Sequence, residues 1–390
     1  MRVIGNRLEN MQRDLSILVA DAALKARIEK AYSVEHKFDA PLQVRTLSRV
    51  VFDPMWGLFV DGEHLVESLP LAQSEKSGAV LEKIKSEVKV PRSVRRVGRG
   101  KGPIFYLGVF YNCWGHLLLD GTRFLWAVVE GKVPRDATFA YSVLQKAGDT
   151  AGEVAPNFAA LLKSLGIEKE QCIRITEPTE FDEILFASEA FRTDRYSIAS
   201  HFYSREFAEI FEHIQKSIVP NPKPPSRKIY LSRSHWKQNA LDIGERQLEK
   251  AFEKFGGFEI VSPERLSFQE MVKLLSETKV LATTEGSIAH NAVFLPRGAE
   301  IVLLEKFNFP NHYQPIVNEM KGLKVTYIEA NWTRWEVCKG GVWLGPFCLE
   351  VTRHVGEYLR CPASWSIATR ARYLWSIFWR RAYRAIRFSF

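Results

Sequence analysis

The sequence predicts an α/β protein whose C-terminal half is a parallel, Rossmann-like sheet. Two observations carry this. Short apolar runs alternate with amphipathic stretches of helical length after residue 226, and that alternation means right-handed βαβ units. The segment Pro220-Asn221-Pro222-Lys223-Pro224-Pro225 sets this half apart, because proline continues neither a helix nor a central strand.

The N-terminal half is less regular. Strands are expected at 49–60, 104–110, 138–142 and 172–176, with helices at 114–129 and 157–165. Before the connector, Phe207, Ile210, Phe211, Ile214 and Ile218 recur at helical spacing over 203–219. After it come a strand at 228–232, a helix at 244–255 closed by Gly256-Gly257, and a strand at 258–261. A helix at 268–277 leads to a strand at 280–283, which runs into Thr284-Glu285-Gly286-Ser287 and a further helix. Strands at 299–304 and 325–328 complete the series. The expected division is 1–219, a linker at 220–225, a Rossmann-like domain at 226–350, and a basic aromatic tail at 351–390.

With 46% apolar and 25% charged residues, the chain is neither disordered nor collagen-like. The 54 basic against 45 acidic residues give +9, an excess suited to nucleic acid, an anionic membrane surface or a phosphorylated substrate. Five cysteines without a CxxC pair exclude a zinc ribbon and point to a reducing compartment. Asp14 and Asp21 bracket the apolar run from Leu15 to Ala20, so no secretory signal is expected.

Ligands of open parallel sheets bind beyond the carboxyl ends of the strands. One such end carries Arg233, Ser234 and Lys237; another carries Glu285, Gly286 and Ser287 ahead of His290 and Asn291. A glycine at a helix start lets a phosphate reach backbone N–H groups, and Arg233 adds a bidentate contact. Together they read as a diphosphate cradle, against the plain alternative of solvated loop residues. His116 and Asp120 lie four apart on one predicted helix face; an imidazole oriented by a carboxylate suits a general base, and also suits a simple surface pair. No DxD triplet occurs, which argues against a carboxylate-bridged metal–diphosphate site.

These stretches resemble glycosyltransferase family 61. The resemblance lies in Arg227-Lys228-Ile229-Tyr230-Leu231-Ser232-Arg233, in the segment from Phe258 to Glu270, in the block from Thr284 to Ala299, and in the Asn112-to-Asp120 element. It implies a GT-B-like fold of two facing Rossmann-like domains, the N-terminal one on the acceptor side and the C-terminal one holding a nucleotide sugar. It also implies inverting transfer of N-acetylglucosamine or xylose from a UDP-sugar to a glycan or lipid-linked glycan, as in capsular polysaccharide synthesis. No cofactor beyond the donor is expected. Inverting transfer needs a base, for which His116, Asp120 and Glu285 are the candidates. Glu285 stands where the family often has histidine. Asn112, Arg233, Ser234, Lys237, Gly286, Ser287, His290, Asn291 and Glu305 are the expected substrate-binding residues, Glu305 toward the ribose.

Residues 364–390 carry six arginines, eight aromatic residues and no acid. At helical pitch Ile367, Leu374, Trp375, Phe378 and Trp379 share one side, the pattern of a helix lying in an anionic membrane interface. The alternative is a terminal helix packed on a domain. The expected location is cytoplasmic, peripheral at the inner face of the cell membrane. A nucleic-acid-binding protein and a catalytically silent nucleotide- or glycan-binding relative are the rival readings; no base-reading motif supports the former.

Overall fold

The computed structural model describes residues 14–39, 41–65, 94–97, 102–144, 153–193, 201–236, 242–307, 310–332 and 345–387. They form two units, one of residues 36–221 and one joining 1–35 to 222–390.

The second unit is built on a six-stranded sheet. Its order is Leu15–Leu18, Lys324–Glu329, Glu300–Glu305, Thr278–Thr284, Arg227–Leu231 and Glu259–Val261, and every neighbouring pair is parallel. Parallel strands covered on both faces are apolar almost throughout; in Thr278–Thr284 only Lys279 is exposed. The helix Glu245–Gly256 buries Leu248, Ala251 and Phe252 and ends at Gly257, whose left-handed φ of 66° needs no Cβ. Ser267 and Glu270 cap the helix Phe268–Ser276 reciprocally. These are the alternating elements that the sequence predicts.

One strand comes from elsewhere. The run excluded as a secretory signal, Leu15–Leu18, is the outer strand beside Lys324–Glu329. Asp21 then caps the helix Ala22–Ala31, and Tyr32 Oη accepts from Asn318 Nδ2 at 2.6 Å. The break between units falls inside the proline connector, yet residues 14–35 belong with the C-terminal sheet.

The first unit carries a mixed sheet of eight strands. Ile104–Tyr111, Thr138–Leu144 and Cys172–Arg174 run parallel. The single strand expected at 49–60 is instead a hairpin, Val44–Asp53 against Gly57–Val60. Asp53 makes its turn by accepting from the Met55 and Trp56 N–H groups. Thr179–Ala187, which the sequence reading missed, joins this hairpin to the parallel strands. The helix expected at 114–129 is broken into Trp114–Leu119, a 3₁₀ turn at Asp120–Thr122, and Trp126–Val129. The Thr122 hydroxyl donates to the Leu118 and Leu119 carbonyls, and Gly121 admits the Phe158 ring, which a Cβ there would meet at 3.1 Å.

The tail contains the helix Ile367–Arg387; residues 388–390 lie outside the described residues. Tyr373 and Ile377 pack with Ile243 and Cys348 of the C-terminal unit. No helix among the described residues is long and apolar enough to cross a membrane.

Candidate functional site

Because the strands at 227–231, 278–284 and 300–305 are parallel neighbours, their carboxyl ends lie together. This brings Arg233, Ser234, Glu285, Gly286, Ser287 and Glu305 to one end of the sheet. Lys237 lies outside the described residues.

The Arg233 guanidinium stacks 4.5 Å over the Trp236 ring, and its backbone N–H donates to Glu245 Oε1 at 3.1 Å. Stacking holds the planar fork in one orientation, which favours bidentate contact with phosphate. The Ser234 N–H donates to Ser232 Oγ at 3.0 Å, and the Ser232 hydroxyl bonds Glu249. His235 Nδ1 lies 3.2 Å from Ser262 Oγ, tying this loop to the end of the neighbouring strand.

At the second strand end Gly286 has a φ of 129°, a value that L side chains rarely adopt, and a Cβ there would meet nothing within 4 Å. The helix expected after it is a 3₁₀ turn of six residues, Ala289–Phe294. Pro296 restricts Leu295 to extended backbone, which ends the turn early. The macrodipole of a longer helix is therefore absent, and an anion argument here rests on the open backbone at Gly286. His290 and Asn291 are buried. His290 Nδ1 is 3.0 Å from Gln314 Oε1, and Asn291 Nδ2 donates to the Ile288 carbonyl. Both brace the turn.

Glu285 and Glu305 are fully buried. The Asn311 N–H donates to Glu285 Oε1 at 2.6 Å, the Phe307 N–H donates to Glu305 Oε1 at 2.6 Å, and the two carboxyls bond one another. Burial raises the Glu285 pKa above the ordinary carboxylate range. Side by side, each carboxyl disfavours ionisation of the other. In this arrangement the candidate base Glu285 and the candidate ribose ligand Glu305 both point into the protein.

Sequence reasoning missed the neighbouring charges. Lys306 Nζ and Asp242 Oδ2 form a buried ion pair at 2.7 Å, with the ammonium 5.1 Å from the centre of the Phe347 ring. Burial, together with the nearby charge of Asp242, pushes the Glu245 carboxyl up to about 8. The only signal for Glu245 in the sequence was its place at the start of an amphipathic helix.

In the N-terminal unit His116 Nδ1 lies 2.7 Å from Asp120 Oδ2. A carboxylate at Nδ1 selects the tautomer protonated there and puts the basic lone pair on Nε2. The Tyr111 ring flanks the imidazole at 5.7 Å. Asn112 is engaged differently: its Nδ2 donates to the Glu153 carbonyl and its Oδ1 accepts from the Ala155 N–H. It clamps the approach to the helix Pro156–Ser164.

These features define an α/β protein with a phosphate-suited sheet end and, on its other unit, an oriented imidazole. The family model of glycosyltransferase 61 matches residues 114–302, from the helix bearing His116 into the strand Glu300–Glu305. Over that stretch, just under half of the chain, the protein matches the family 61 glycosyltransferases, a class that uses a sugar donor and a glycan acceptor. No curated protein matches the chain.

Proposed function

We propose that this transferase moves a sugar of the N-acetylglucosamine or xylose type from a UDP-sugar to a glycan or lipid-linked glycan acceptor, with inversion, in cell-surface polysaccharide synthesis. The observation that carries the mechanism is the 2.7 Å contact between His116 and Asp120 inside the family-matched region. The work divides as in a GT-B enzyme. The C-terminal unit holds the donor, and the N-terminal unit prepares the acceptor.

Inversion is one displacement at the anomeric carbon. His116 Nε2 takes the acceptor hydroxyl proton as the oxygen attacks, and Asp120 stabilises the imidazolium that forms. The bond to the diphosphate breaks as the glycosidic bond forms, so negative charge grows on the leaving UDP. Arg233, Ser234, Lys237 and the backbone at Gly286-Ser287 receive that charge. We assign the reaction no metal, on the basis of these cations and the missing DxD triplet.

The test is a panel of nucleotide sugars with glycan acceptors, read as nucleotide release in EDTA and again with added magnesium. Release from a UDP-sugar in EDTA supports the reading. Release only with magnesium removes the metal-free assignment. UDP binding without turnover on any donor makes the chain the catalytically silent relative.

A further inference from the structure

The helix Ile367–Arg387 presents two different faces. One is bolted to the C-terminal unit. Tyr373 and Ile377 are buried there, and Arg370 makes paired hydrogen bonds to Glu350 at 2.7 and 2.8 Å. Its guanidinium lies between the Trp332 and Trp365 rings, 4.4 and 4.3 Å from their centres. Gln247 Nε2 donates to Thr369 Oγ1 at 2.6 Å. Gly244 makes the close approach possible, because a Cβ there would lie 2.9 Å from Thr369 Cγ2 and collide with the Leu349 carbonyl.

The other face is apolar and open. Ile367 is 75% exposed, Trp375 62%, Phe378 60% and Trp379 54%, with Leu374 beside them. The Trp375 ring lies 6.2 Å from Phe378 and 5.6 Å from Trp379, so the rings form one continuous patch. At about 100° per residue, this arc is centred roughly 150° around the helix from Tyr373 and Ile377. Burial of one face therefore leaves the other unchanged. Helix packing and an outward apolar arc coexist.

We propose that this outward arc seats in an anionic lipid surface, with the bolted face fixing how the C-terminal unit meets the bilayer. Aromatic and aliphatic side chains enter the headgroup boundary. Arg372, which is exposed, lies on the flank of this arc next to Trp379, and no acid occurs anywhere from 364 to 390. That charge fits the anionic cytoplasmic leaflet. It disfavours a second copy of the chain on the same patch, since pairing brings like charges together. The helix does not meet the length and apolarity needed to cross a membrane, so it lies in the interface. This proposal is independent of the donor and acceptor assigned above.

The test sediments the full chain with vesicles of phosphatidylcholine alone and with phosphatidylglycerol added. Two variants, Trp375→Ser/Phe378→Ser/Trp379→Ser and Arg372→Glu, alter only exposed side chains, and thermal melting checks that each is folded. The wild-type chain is expected to pellet with the phosphatidylglycerol vesicles and less so in high salt. Each variant is expected to bind at least about tenfold more weakly. Four outcomes overturn the proposal: wild-type chain remaining in the supernatant with both vesicles; variants pelleting as the wild type does; a dimer lost in the aromatic variant without vesicle binding; or binding of duplex DNA or RNA, lost in the arginine variant, without vesicle binding. Nucleotide release in the same samples reports separately on the enzyme.

Discussion

His116 and Arg233 separate chemistry from binding, so their variants should fail differently. His116→Ala is expected to lower turnover about 10²–10⁴-fold while UDP affinity stays near that of the wild type. Turnover measured alongside calorimetry checks this, and a collapse in Glu285→Gln with activity kept in His116→Ala would reverse the assignment. Arg233→Ala should weaken UDP binding by about 1.5–3 kcal/mol, the range for a charge-assisted hydrogen bond, as read by calorimetry in EDTA. Glu245 gives a pH signature. Its folded-state pKa of about 8 stands above that of the unfolded carboxyl, so the folded chain holds this proton more tightly. The resulting stability is full in acid, below the ordinary carboxylate range, and is lost as pH rises through about 8. Glu245→Gln keeps an acceptor for the Arg233 N–H and removes the ionisation. It should therefore raise the melting temperature at about pH 9 and change it least near about pH 4, measured across a pH series. The candidates His116, Asp120 and Arg233 were visible because their partners lie close in sequence. The Glu285–Glu305 contact was not, because it depends on two strands lying side by side.

Among the elements, the alternation after residue 226 was legible because each helix repeats apolar residues on one face and each strand is short and apolar. The strand Thr179–Ala187 was hidden by Glu180, Asp182 and Glu183, which break an apolar run although Phe181, Ile184 and Phe186 turn inward. The helix after Trp114 was over-extended because periodicity cannot register Thr122 bonding back to two carbonyls. Lys306 and Asp242 join elements that the sequence keeps apart. Asp242 starts a two-residue strand paired with Phe347–Cys348, and Lys306 follows the strand Glu300–Glu305. Lys306→Met should cost about 3–5 kcal/mol by leaving Asp242 buried without its cation. Replacing both, with Asp242→Leu, should recover most of that loss. Chemical denaturation of the single and double variants measures the difference.

At the scale of the whole molecule, the C-terminal unit draws on both ends of the chain. Removing residues 1–35 strips the outer strand from Lys324–Glu329 and the Asn318 contact from Tyr32. An unpaired strand edge is a template for aggregation. The shortened chain should melt at a lower temperature and scatter light at concentrations where the full chain stays clear; unfolding scans and light scattering check both. The residue pattern alone determined the α/β class and the alternation of strands and helices after residue 226, since each is written in neighbours a few positions apart. Tertiary structure decided what pattern cannot carry. It brought Ala20 to Glu329, 309 positions away, turned Glu285 and Glu305 toward each other, and chose Tyr373 and Ile377 as the packed side of the last helix. Periodicity marks which side chains prefer to leave water. Only the assembled sheet and its neighbours determine which of them have something to pack against.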